Sequence, residues 1–134
     1  MISDNHLLLR ALTLNAMFSG FSALLLLVGG SWLAAHFALS SATPIYAIAA
    51  SLAAFAFQLG NIVRTRNIRT WEIKSIIGGD IAWVVASVAF IILYYQSITP
   101  TALLLVDIAA VAVLFLAVMQ IRGLKQYRQL QALL

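Results

Sequence analysis

The sequence predicts an all-α polytopic membrane protein, a compact bundle of four transmembrane helices, and three observations carry that reading. Four long apolar runs dominate the 134 residues, which are 63% hydrophobic and 9% charged, against about 25% charged in ordinary soluble domains. A hydrocarbon core of about 30 Å takes roughly 20 apolar residues per helix, so four helices and short links account for a chain of this length. All eight Lys and Arg residues lie between or beyond the runs, always on alternate sides: Arg10 before the first, Arg64, Arg66, Arg69 and Lys74 between the second and third, and Arg122, Lys125 and Arg128 after the fourth. The links Ser40–Pro44 and Gln96–Pro100 carry no charge. By the positive-inside rule both termini are expected in the cytoplasm, with a single transmembrane domain over 1–134.

Helix 1 is expected to start near Ser3 or Asp4, either of which can cap the first amides, and to span the membrane over 12–37. Arg10 and the run behind it resemble a signal peptide. At about 25 residues, however, the run exceeds the roughly 7 to 15 of a signal h-region, so a retained helix is expected. Gly29-Gly30 is expected to loosen or bend its outer half. Helix 2, over 44–63, starts at Thr43-Pro44, a cap followed by the one helical position where proline costs nothing. Helix 3, over 72–95, has Trp71 at the inner interface and Tyr94-Tyr95 at the outer one, where amphipathic rings prefer to lie. Helix 4, over 100–121, repeats the Thr-Pro start at Thr99-Pro100. Beyond it Leu124, Tyr127, Leu130 and Leu134 recur at helical spacing, opposite Lys125, Arg128 and Gln129. Residues 122–134 therefore read as an amphipathic extension that continues into, or lies along, the cytoplasmic headgroups.

Setting Pro44 on Pro100 also aligns Ser41 with Ser97, Ala53-Ala54 with Ala109-Ala110, Ala56 with Ala112, and Arg66 with Arg122. A duplicated two-helix hairpin would relate the halves by an axis along the membrane normal. Shared topology and a small residue alphabet produce the same look, and helices 1 and 3 match much less well.

Several function classes are disfavoured. A pI near 10 would point to nucleic acid in a soluble protein, but here the basic residues flank the spans, where Arg64, Arg66, Arg69, Lys74, Arg122, Lys125 and Arg128 are candidate contacts for anionic lipid headgroups. The absence of cysteine excludes disulfide chemistry and thiolate metal sites. His6 and His36 stand 30 residues apart on one helix, roughly 45 Å, too far to ligate one haem or metal within a chain. Gly78-Gly79 lies inside a helix and makes no phosphate loop. No enzymatic activity, cofactor or metal is expected.

The polar residues inside the spans are the candidate sites. Asp80 lies roughly 12 Å into helix 3 from the cytoplasmic side, and Asp107 roughly 10 Å into helix 4 from the outer side. Carboxylates at such depths are costly and are expected to face the bundle interior or to be protonated. At the level of Asp80 the sequence offers Asn15, Ser19, Asn61 and Trp83. That cytoplasmic-side cluster reads either as a proton site or polar pocket open to the cytoplasm, or as an interhelical clamp, since Asn and Asp commonly join membrane helices. Asp107 and His36 form the outer candidate cluster, with Ser31 and Ser51 at similar depth. A His-Asp couple would titrate near neutral pH, whereas a lone His36 would be an interfacial side chain. Small-residue stripes occur on helix 3 (Gly78, Ala82, Ala86, Ala89), helix 1 (Ala11, Asn15, Ser19, Ser22) and helix 4 (Ala109, Ala112, Ala117). They permit close helix approach, and a stripe left outside the bundle would imply a partner.

The segments Leu14-Asn15-Ala16-Met17-Phe18-Ser19-Gly20-Phe21-Ser22 and Asp80-Ile81-Ala82-Trp83-Val84-Val85-Ala86-Ser87 resemble those of a group of small bacterial four-helix inner-membrane proteins. In that group Asn-Ala-x-Phe-Ser opens helix 1 and Asp-x-x-Trp-Val lies in helix 3. The resemblance implies a compact four-helix fold in a bacterial inner membrane and no established activity, and it singles out Asn15, Ser19, Asp80 and Trp83. The leading expectation is a non-enzymatic accessory or self-assembling bundle, with a membrane-protein partner or a second copy beside it. The alternatives are a small proton-linked carrier using Asp80 and Asp107, and a protein that holds anionic lipid.

Overall fold

Four helices account for nearly all of the chain in a computed structural model that describes residues 6–133: α1 (His6–His36), α2 (Thr43–Thr65), α3 (Thr70–Tyr94) and α4 (Pro100–Ala132). Each is long and apolar enough to cross a membrane. The caps expected at Ser3 and Asp4, the side chain of His6 and the end of the amphipathic pattern at Leu134 lie outside the described residues.

Local chemistry sets the helix ends. Thr99 caps α4 by accepting from the backbone N–H of Ala102 at 3.2 Å, with Pro100 in the first turn. The parallel expectation for Thr43 does not hold. Thr43 is already helical and Ala42 stands at the cap, because the Ser41 hydroxyl accepts from the Thr43 N–H at 3.3 Å one step earlier. Helix α1 ends on Ala38 in the left-handed region (φ 56°), with the Leu39 N–H bonded to the Ala34 carbonyl at 2.8 Å, a Schellman closure made without glycine. Gly29 leaves helical geometry (φ −101°, ψ 16°) and kinks α1 in its outer half. The residues after 121 continue α4 without a break to Ala132, so at about 50 Å this helix outruns the hydrocarbon core.

The helices alternate in direction, which gathers the basic residues at one end of the bundle and both uncharged links at the other. Helices α1 and α4 form the spine. Their buried residues recur at three- and four-residue spacing, through Leu8, Leu12, Asn15, Ser19 and Ala23 on α1 and through Val113, Leu116, Ala117, Gln120 and Leu124 on α4. Near the basic end the spine is pressed together at Gly123, where an added Cβ would lie 2.6 Å from the Leu8 Cα. Helix α2 packs on α1 and α3 packs on α4, but the Cα traces of α2 and α3 never approach within 8 Å of each other. Their seam closes only at the basic end. There Leu59 and Ile62 meet Ile73, Ile76 and Ile77 in a cluster with Leu8, Leu12 and Leu124, and Gln58 Nε2 donates to Glu72 Oε2 at 3.1 Å.

This asymmetry bears on the hairpin repeat. A two-fold along the bundle axis would make the α2–α3 seam equivalent to the α1–α4 contact, and here one is open and the other tight. The exterior of the spans is mostly apolar, with Val28, Phe57 and Leu93 each more than 70% exposed, as lipid contact favours.

Candidate functional site

One polar cluster lies inside the bundle, about a third of the way in from the basic end, where α1, α3 and α4 each contribute a residue. Asn15 Nδ2 donates to Asp80 Oδ2 at 2.8 Å and to Gln120 Oε1 at 2.9 Å. Gln120 Nε2 donates to the same Asp80 oxygen at 2.8 Å, which closes a ring of three side chains. The Ser19 hydroxyl donates to Asn15 Oδ1 at 3.2 Å. All four residues are buried. Two amide donors on one carboxylate oxygen supply what lipid cannot, so the ring lowers the cost of placing Asp80 at this depth and ties three helices together.

Toward the basic end the described residues place an apolar layer next to the cluster. One helical turn nearer that end each member has a buried aliphatic neighbour on its own helix: Leu12 below Asn15, Ile76 and Ile77 below Asp80, and Leu124 below Gln120. This layer stands between the ring and the basic end. The free space runs the other way. A cavity of about 390 Å³ adjoins the ring in the α2–α3 seam, lined by Asn15, Ser19, Ser51, Phe55, Asp80 and Trp83 among others.

Of the residues the sequence proposed for this cluster, Asn15, Ser19 and Asp80 are joined by hydrogen bonds, and Trp83 lines the adjoining cavity without bonding to them through its side chain. Asn61 stays out. It shares the depth but sits on the exposed side of α2, two residues from buried Leu59, where its Oδ1 accepts from Arg64 Nη2 at 3.1 Å. Two residues turn a helix by about 200°, so depth alone misassigned it. Gln120, a neutral amide, is not singled out by charge or depth in the sequence. Its signal is its position, as a lone amide on the apolar stripe Val113, Leu116, Ala117 and Leu124.

The outer pair does not come together. His36 is half-buried with its ring edge-on to Trp32, centroids 4.1 Å apart. Asp107 is exposed on α4 between Leu104 and Val111. The hydrogen bonds near that end run elsewhere, from Gln96 to Tyr95 and from Ala102 to Thr99, and Asp107 takes part in none among the described residues. Ser51 donates into its own helix, to the Ala47 carbonyl.

The chain matches no protein-family model, no curated protein and no solved structure. Its functional reading therefore rests on its own residues. The seven candidate lipid contacts Arg64, Arg66, Arg69, Lys74, Arg122, Lys125 and Arg128 are all exposed at the basic end. Among the described residues no three His, Asp or Glu side chains converge as metal ligands would. The small-residue stripes divide. On α1, Ala11, Asn15 and Ser19 face inward, whereas Gly78, Ala82, Ala86 and Ala89 of α3 are all exposed.

Proposed function

We propose that this protein is a non-enzymatic accessory subunit of a larger assembly in a bacterial inner membrane, with its basic end in the cytoplasm. In this reading it docks through the outward face of α4, where Asp107 meets a Lys or Arg from the partner's span. The observation that carries the reading is Asp107 itself, a carboxylate exposed on a stripe with Leu104, Ile108 and Val111 and without a hydrogen-bond partner among the described residues. Such a group costs up to about 3 kcal/mol at mid-membrane on insertion scales, and its side chain is too short to reach far toward water. A basic partner offsets that cost. A parallel second copy does not supply one, because its Lys and Arg residues stand at the opposite end. The exposed stripe of small residues on α3 offers a further close-packing face.

The proton-linked alternative draws less support from the same geometry. An aliphatic layer separates Asp80 from the basic end, and Asp107 faces away from the bundle. The collar of exposed cations favours a second, compatible role in holding anionic lipid, at about 1 kcal/mol per residue near the surface.

Recovery of the full chain in mild detergent tests the docking reading. The expected partner carries a Lys or Arg in a membrane span at the depth of Asp107, and Asp107→Leu releases it while the variant itself remains folded. Recovery that is indifferent to Asp107→Leu, or a partner with no cation in its spans, would overturn the proposal.

A further inference from the structure

The geometry points to the α2–α3 groove as a binding site for a lipophilic organic cation that enters sideways from the bilayer, with Asp80 as its counter-charge. The inference is independent of the docking reading, which concerns Asp107 on the outward face of α4 and not the groove between α2 and α3.

Three observations carry it. Above the basic end the α2–α3 seam holds free space, with two cavities lined from both helices. The cavity of about 390 Å³ beside Asp80 is followed by a second of about 410 Å³ toward the uncharged end, and Ile48 and Trp83 wall both, so the two lie in sequence along one groove. The second cavity is almost wholly apolar, with Leu26, Phe37, Ile45 and Phe90 in its walls. That combination suits a ligand with a greasy body and one polar end.

The chemistry of the polar end follows from Asp80. Its Oδ2 accepts both amides, while Oδ1 has no hydrogen-bond partner among the described residues. No buried polar side-chain atom among those residues lacks a partner, so Oδ1 keeps some accessible surface, on a residue that lines the cavity. No Lys, Arg or His lines either cavity, which leaves Asp80 as the one acidic or basic side chain in the groove. Phe18, Phe55 and Trp83 stand around the same space. A carboxylate that shares an apolar slot with three aromatic side chains favours a cation over a neutral or anionic guest, through charge pairing and through the ring quadrupoles.

Tetraphenylphosphonium and its near-isosteric anion tetraphenylborate are suitable probes, measured by equilibrium dialysis against the full chain in an uncharged detergent. The expected result is saturable binding of one tetraphenylphosphonium per chain and none of tetraphenylborate. Asp80→Asn preserves an acceptor for Asn15 and Gln120 but removes the charge, and should weaken cation binding about tenfold or more. Ile48→Trp adds bulk where the two cavities meet, leaves the charge of Asp80 in place, and should weaken it comparably. Equal uptake of both ions, or none that saturates, would overturn the proposal on the unaltered chain alone and leave the groove as a place for lipid tails. Unchanged affinity in Asp80→Asn or in Ile48→Trp would overturn it equally, and if Asp80→Asn fails to fold, the ion pair and Ile48→Trp decide.

Discussion

Replacing Asn15 and Gln120 of the buried ring, and Ser19 beside it, one at a time should destabilise the bundle in an order fixed by how many hydrogen bonds each makes. Asn15 takes part in three, donating to Asp80 and Gln120 and accepting from Ser19. Gln120 takes part in two and Ser19 in one, at 3.2 Å. Interhelical hydrogen bonds inside membranes average about 0.6 kcal/mol, so Asn15→Leu, Gln120→Met and Ser19→Ala should cost about 1.8, 1.2 and 0.6 kcal/mol. The first two replacements are close in size to the originals, which keeps cavity terms small. Because Asn15 and Gln120 share one bond, the double variant should cost about 0.6 kcal/mol less than the two single costs added together. The assay is reversible unfolding in mixed micelles by titration with dodecyl sulfate, followed by far-ultraviolet circular dichroism. If Ser19→Ala cost as much as Asn15→Leu, or if the double variant were simply additive, the ring would not be the unit that joins α1, α3 and α4.

Other substitutions probe the packing around it. Gly123→Ala should lose about 1–3 kcal/mol in the same titration, because the new methyl lies 2.6 Å from the Leu8 Cα and 2.7 Å from its N, and backbone cannot step aside. Ala38→Gly should gain about 0.5 kcal/mol, since φ of 56° strains an L-residue by roughly 1–2 kcal/mol and glycine returns part of that gain to the unfolded chain. Asn61→Ala should change stability by no more than about 0.5 kcal/mol, as its side chain is exposed and accepts only from Arg64.

Much of this fold was legible from hydropathy and charge placement, because a bilayer forces every span to be long, apolar and helical. The Thr99-Pro100 start and the Gly29 kink also followed from local chemistry. Helical phase was harder. Asp80 and Asn15 lie on the stripes that their aliphatic neighbours Ile76, Ile77 and Leu12 define, so depth and face agree. Asn61 has the right depth and the wrong face, and Asp107 faces outward, where the expectation for a carboxylate at that depth was an inward face or a protonated group. In a bilayer the outward face is as apolar as the inward one, so periodicity gives little warning of which side a helix presents. Gln120 was overlooked for a different reason, in that a neutral amide leaves no mark in a count of charges. The openness of the α2–α3 seam depends on how four helices share too little interior, which no single segment encodes.

The most direct test of the account places a photo-activatable phenylalanine analogue at Val111, one turn from Asp107 on the same exposed stripe, and irradiates intact membranes. The account predicts a cross-link to another chain whose span carries a Lys or Arg at that depth, lost when Asp107 is changed to Asn. Cross-links to lipid alone, or a protein adduct that survives Asp107→Asn unchanged, would contradict it.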